Sequence, residues 1–197
     1  MHFTLADLVA DITQNGAESG AGTVELEVRE TGNSAEPGSC GKTEFRFTVK
    51  DNGKGMSSEE LTRAQDPFVT DGIKHPHRKV GFGLPFLIQT AEASGGGWKM
   101  ESRKRGEAEH PGTEVSAWFD LGNVDTPPVG DIPGLFRTVL LFSGPDEIVI
   151  RRSCEALSLD YEIRKTELID ALGGLEDVQS LILLNQYLRS MEDAEEE

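Results

Sequence analysis

Three groups of residues have the types and spacing to do chemistry together. Asp11 and Asn15 lie four residues apart, which puts an acid and an amide on one side of a helix. An amide oxygen is a good magnesium ligand, and a carboxylate one turn earlier can position a water or complete the hydrated shell of the ion. Alone, the pair reads more simply as a polar helix face. The second group is Asp51-Asn52-Gly53-Lys54-Gly55-Met56, at the end of a strand-like stretch. A carboxylate there can accept from an exocyclic amine, the glycines let backbone approach a flat ring, and Met56 can pack on it. The alternative is a hairpin turn, for which Asn-Gly is the strongest short signal. The third is Gly81-Phe82-Gly83-Leu84, which opens a helix-like segment after the basic run Lys74, His75, His77, Arg78 and Lys79. Glycines at a helix N-terminus offer backbone N–H groups to phosphate, and cations gathered in an acidic chain favour a polyphosphate.

Other motifs fail on chemistry. GSCGKT at 38–43 has Glu36 where a phosphate-binding P-loop needs glycine, and it precedes a strand instead of a helix. An EF-hand frame on 51–60 puts lysines at ligand positions, whichever glycine is taken as the invariant one. GFGLPF has Phe86 where a dinucleotide fingerprint needs Gly or Ala. His75 and His77 lack a third ligand and read as solvated.

The elements that must hold these groups follow from periodicity. Thr4 to about Ser19 reads as a helix with Thr4 as N-cap, Asp7 in its first turn, and Leu5, Leu8, Val9 and Ile12 on one side. Four segments alternate with period two: Val24–Arg29, Phe45–Lys50, Trp98–Arg103 and Val115–Phe119. One apolar face on each predicts a mostly antiparallel sheet covered on one side. Residues 57–65 and 83–94 read as covering helices, and 31–43 as a polar hairpin-type loop. The expected class is α+β, a two-layer sandwich over residues 1–121. A Pro/Gly/Asp linker at 122–130 leads to a C-terminal α/β extension, 131–197, with an acidic tail. In it, Ile132–Phe142 reads as a helix, Glu147–Cys154 and Ser158–Arg164 as a hairpin, and 165–172 and 176–191 as helices. This unit either packs back on the sheet or carries an interface.

The 197 residues carry 19 Lys+Arg against 35 Asp+Glu, a net charge of −16, with five acids in the last six positions. That field repels phosphate backbones and argues against nonspecific nucleic-acid binding. The longest apolar runs, Val139–Phe142 and Leu181–Leu184, fall far short of the ~20 residues that span a bilayer. Cys40 and Cys154 make neither a disulfide framework nor a metal set, and no leader pattern opens the chain. A soluble cytoplasmic protein is expected.

In this order, the three groups resemble the histidine-kinase-like ATPase superfamily, the GHKL group that shares the Bergerat ATP-binding fold and includes histidine-kinase catalytic domains, anti-sigma serine kinases, gyrase and Hsp90. DITQNGAESGA looks like its N box, DNGKGM like its first glycine box and GFGL like its second. DPFVTDG at 66–72 is similar to the phenylalanine box of histidine kinases, and residues 93–119 resemble their ending, where a Gly-Thr pair precedes the last strand. The resemblance implies ATP and Mg2+ as ligands. Asn15 would hold the magnesium, and Asp51 would accept from the adenine amino group, with Gly53, Gly55 and Met56 lining the base. Gly81, Gly83 and Leu84 would wrap the phosphates under a lid from about Val69 to Val80 that carries Lys74 and Arg78. Thr113 would support the adenine end through a water.

Asp11 departs from the pattern, since hydrolysing members carry Glu at this position. One methylene fewer withdraws the carboxylate by roughly 1.2–1.5 Å, which spoils a water hydrogen bond that must be ~2.6–3.2 Å long. Inefficient hydrolysis is expected. The N box begins within ten residues of Met1, which leaves no room ahead of it for the phosphoaccepting hairpin of a complete sensor kinase. The extension also resembles that of small stand-alone kinase-like ATPases encoded near iron-only hydrogenase genes. The resemblance thus implies a stand-alone kinase-type module acting on a partner protein. The alternatives are a non-catalytic ATP-dependent switch and a weak ATPase that forms a homodimer.

Overall fold

The computed structural model describes residues 4–32, 43–65 and 83–193. The elements run α1 (Leu5–Ala17), β1 (Thr23–Thr31), β2 (Glu44–Asp51), α2 (Ser58–Ala64), α3 (Gly83–Ala93), β3 (Gly97–Arg103), β4 (Gly112–Asp120), α4 (Ile132–Leu140), β5 (Glu147–Cys154), β6 (Leu159–Arg164), α5 (Lys165–Leu172) and α6 (Val178–Glu192). Lys74, Arg78, Gly81, the 66–72 segment, the basic run and GSCGK at 38–42 lie outside the described residues.

Helix α1 starts where its sequence says. The Thr4 hydroxyl accepts from the Asp7 N–H at 3.2 Å and the Asp7 carboxylate accepts from the Thr4 N–H at 2.9 Å, a reciprocal capping box. The linker finishes the work, since the carbonyls of Pro128 and Val129 take the Leu5 and Ala6 N–H groups at 2.9 Å each. Three of the donors that a helix start leaves unpaired are thereby satisfied.

The six strands form one sheet in the order β3-β4-β2-β1-β5-β6, antiparallel except for β1 beside β5. Its covered face carries Val24, Leu26 and Val28, then Phe45, Phe47 and Val49, then Val115, Ala117 and Phe119, all buried. Helices α1, α3, α4 and α6 supply Leu5, Leu8, Leu87, Phe136, Leu140 and Leu184 to the same core. Phe119 sits between Phe45 and Phe47, with ring centroids 6.3 and 6.4 Å apart. The opposite face is polar: Arg46 pairs with Glu44 and lies 4.9 Å over the Trp118 ring, and Arg151 bridges Glu25 and Glu162. Such exposed pairs contribute little stability each.

The C-terminal residues continue the sheet. β5 pairs along β1 from Thr23 opposite Glu147 to Glu30 opposite Cys154, so Ile148 and Ile150 fall beside Val24 and Leu26 on the covered face. Phase then places Arg152 and Glu30 on that face as well. Arg152 is 2 % exposed, and its guanidinium donates to Glu30 at 2.6 Å, to Glu192 of α6 at 3.1 Å and to the Ser153 carbonyl at 3.0 Å. The Tyr161 hydroxyl donates to the same Glu192 carboxylate. Helix α6 is tied to the sheet at this point.

Helix α4 stops two residues short of the expected Phe142, because the chain turns through Ser143 and Gly144, whose φ is +116°. Helix α6 starts at Val178, two residues late, because Asp177 caps it by accepting from the Gln179 and Ser180 N–H groups. Among the described residues, no helix is long and apolar enough to cross a membrane.

Candidate functional site

Strand β2 delivers Asp51 to the covered face, in phase with Phe45, Phe47 and Val49. A polar residue at an inward position must find partners or carry a ligand. Asp51 is 8 % exposed. Its Oδ1 accepts from the Gly53 N–H at 2.8 Å and from the Ser19 hydroxyl at 2.9 Å, while Oδ2 lies over the bare Cα side of Gly16 in α1. Burial pushes the carboxyl above its usual 3.8, against the lowering effect of the hydrogen bonds from Gly53, Ser19 and the Thr113 backbone. A buried acid with an uneven set of donors is a specific acceptor for an N–H that a ligand brings.

The loop after Asp51 is not a hairpin turn, since it runs on into Ser57, the N-cap of α2. It is laced into place instead. Asn52 exchanges hydrogen bonds with Thr23, its side chain accepting at 2.9 Å, and the Lys54 N–H reaches the Ser19 carbonyl at 3.2 Å. The Arg105 N–H closes on the Lys54 carbonyl at 2.7 Å. The Met56 N–H donates to Ser102 Oγ at 2.8 Å, and that hydroxyl lies 2.9 Å from Thr113 Oγ1. Thr113 itself stands opposite Asp51 in the sheet.

The glycines are required by close approach. A Cβ on Gly53 would sit 1.8 Å from Ser19 Oγ. One on Gly55, whose φ is +59°, would sit 1.8 Å from the Arg103 carbonyl oxygen. That neighbour is strand backbone, which has no room to give. Gly55→Ala is expected to cost about 1–3 kcal/mol, read as a lower denaturant midpoint at unchanged slope.

On the other flank of α1, Asp11 and Asn15 do share a face, and it meets the start of α3. A Cβ on Gly83 would lie 3.7 Å from Asn15 Nδ2 and 3.8 Å from Asp11 Cβ. Leu84 is buried in the core. Helix α1 therefore links both halves: Asn15 faces the bare side of the glycine that opens α3, and the bare side of its neighbour Gly16 faces Asp51. Among the described residues, no group of three or more His, Cys, Asp or Glu could hold a metal. A magnesium ion here would take one amide oxygen from Asn15 and the rest from water and phosphate, a donor set that suits its preference for waters and substrate oxygens.

Asp11, Asn15 and Gly83 thus lie on one flank of α1, and Asp51 faces the other at Gly16, with Gly53 bonded to its carboxylate, Thr113 opposite it in the sheet, and Gly55 and Met56 held against β3. The sequence reading missed Gly16, Ser19 and Ser102, which hold Asp51 and Met56. Ser102 had a signal, a hydroxyl in phase with Trp98 and Met100 on the apolar side of β3. Ser19 had none, because its partner is distant in sequence. A small concavity lined by Thr43, Glu44, Gly95, Gly96, Trp118 and Asp120 lies at the opposite end of β2 and β4 and shares no residue with this site.

No curated protein matches the chain. The family model of the histidine kinase-, DNA gyrase B-, and HSP90-like ATPases matches residues 3–123, a span that takes in all of these residues and most of the chain. With the sandwich architecture and the Asp51 loop both in place, the chain belongs to that family of ATPases.

Proposed function

We propose that this ATP-binding family member is a regulatory module of kinase type, cytoplasmic, which passes the γ-phosphoryl group of Mg-ATP to a partner protein. The observation that carries the reading is Asp51. It is a buried carboxylate held by Gly53 and Ser19 at the mouth of a glycine-lined loop, as an acceptor for the adenine amino group requires. Met56 and the two loop glycines would line the base, and Thr113 would support it through water. Asn15 would hold the magnesium, which supplies charge neutralisation at the phosphates. Gly83, with Gly81 and the cations Lys74 and Arg78 before it, would embrace the phosphates. In the transfer, the bond from the γ-phosphorus to the ADP oxygen breaks, and a bond forms to a hydroxyl oxygen or imidazole nitrogen of the partner, whose proton leaves to solvent or a base. Positioning and electrostatics would supply most of the rate. The short side chain of Asp11 disfavours activation of water, which spares ATP for transfer.

A second reading, a non-catalytic switch, is favoured by one contact. Helix α4 of the extension packs on α1, the helix that carries Asn15, so ordering around ATP could reach the extension. Incubation with γ-labelled ATP, magnesium and copurifying proteins separates the two. Label on a partner that survives acid marks phosphoserine, and label that survives base but not acid marks phosphohistidine. ATP binding without transfer to any partner leaves the switch, and release of phosphate with dimerisation leaves the weak ATPase.

A further inference from the structure

Helix α6 presents a face that its charge pattern marks for docking. Ser180, Leu184 and Leu188 turn inward and are buried. On the outward side, Val178 is 75 % exposed, Ile182 53 %, Leu183 45 % and Tyr187 40 %. Scattered exposed apolar residues need no explanation, but these four share one helix. From Val178 to Met191 the helix has a single charged residue, Arg189, in a chain whose residues are 27% charged. Both ends of this stretch are acidic, with Glu176 and Asp177 before it and, after it, Glu192, which Arg152 takes up, and Asp193. The whole helix lies beyond residues 3–123, the span of the family model.

Charge decides among occupants. A second copy would set these acidic ends against one another on two chains of net charge −16, with Arg189 alone to offset them. Residues 194–197 are an alanine and three glutamates, and they offer neither a large apolar side chain to fill the face nor a positive charge to answer its ends. An anionic lipid surface repels the same acids, whereas helices that lie on membranes carry Lys and Arg on their polar side. We infer that the outward face of α6 docks a basic amphipathic segment of another protein, with an apolar stripe against Val178, Ile182, Leu183 and Tyr187 and lysines or arginines near Glu176, Asp177 and Asp193. This is helix-in-groove or helix-on-helix recognition with electrostatic steering, and it holds whether or not the nucleotide is transferred.

The test uses the full chain and three synthetic 18-residue peptides: a Leu/Lys amphipathic helix, its Leu/Glu counterpart, and a scrambled Leu/Lys peptide without an apolar face. Fluorescence anisotropy is read against wild type, Ile182→Ser and Tyr187→Ser, substitutions that leave charge unchanged. The amphipathic Leu/Lys peptide should bind, weaken with added salt, and bind each variant about tenfold less tightly. Both side chains are about half exposed, so folding should survive. If either variant melts early, Val178→Ser at the most exposed position takes its place. Equal binding of the scrambled peptide, binding of the Leu/Glu peptide, or no loss in the serine variants overturns the proposal. So does sedimentation of the wild type as a dimer that Ile182→Ser converts to monomer, since a second copy then occupies the face.

Discussion

Asp51→Asn should weaken ATP binding by about 10- to 150-fold, the equivalent of one hydrogen bond to a charged group, about 1.5–3 kcal/mol. The substitution keeps the size of the side chain. Its amide oxygen can still accept from the Gly53 N–H and the Ser19 hydroxyl, the two donors that now hold Oδ1. Its NH2 then stands where Oδ2 was and turns a donor toward a ligand amine that is itself a donor. Folding should not suffer, and the sign follows from the titration. Burial holds the folded carboxyl above its usual 3.8, so the folded chain binds more protons than the unfolded one between the two values. Stability is full below the unfolded value and falls as pH rises through the folded one, so at neutral pH the ionised Asp51 is a net cost. Asp51→Asn removes that cost and should melt no earlier than wild type. Affinity for ATP runs the other way, because acidification protonates the acceptor. In the wild type it should begin to fall at a higher pH than an ordinary carboxylate would set. Calorimetric titrations across pH, with Asp51→Asn as the reference that lacks this step, measure it.

Arg152→Leu should destabilise the chain by about 3–5 kcal/mol, because it leaves a buried ionic group without its centre. Arg152 is 2 % exposed and is shared by Glu30 and Glu192, and Tyr161 adds a hydrogen bond to Glu192. Removal strands two carboxylates in a partly dry site and unties α6 from β5, leaving the Tyr161 hydroxyl of β6 as the donor to Glu192. Arg152→Leu/Glu192→Leu should recover part of the loss, since one stranded charge leaves with its partner. Urea unfolding read by circular dichroism gives both numbers. A loss below about 1 kcal/mol in the single variant would mean that the cluster is solvated and contributes as surface pairs do.

How much could be read in advance depended on the range of the interaction. The N-cap at Thr4 with Asp7 in the first turn, the apolar side of α1 and the alternation of β1, β2 and β4 are local, and each was legible from residues within a few positions of one another. The two-layer α+β class followed from them. The pairing of β5 alongside β1 was not legible. Ile148 and Ile150 alternate as any strand would, and only the assembled sheet shows that Val24 and Leu26 are their neighbours. The Arg152 cluster hid for the same reason, since its members lie at positions 30, 152, 161 and 192. In the site, Asp51, Gly53 and Gly55 were legible because chemistry and chain geometry coincide in one short run. Their supports were not, because Gly16, Ser19 and Ser102 act across the fold on Asp51 and on the Met56 backbone, which no local pattern marks.

Asp51 is expected to read the amino group of adenine. Inosine triphosphate tests it directly, because it keeps the phosphates and ribose of ATP and replaces the 6-amino donor with a carbonyl acceptor. Calorimetry in magnesium should show wild type binding ATP at least about tenfold more tightly than inosine triphosphate, since the loss of that donor leaves a buried carboxylate facing a carbonyl. Asp51→Asn should narrow or reverse the preference. Equal affinities for the two nucleotides in wild type, or a preference for ATP that Asp51→Asn leaves intact, would contradict the account.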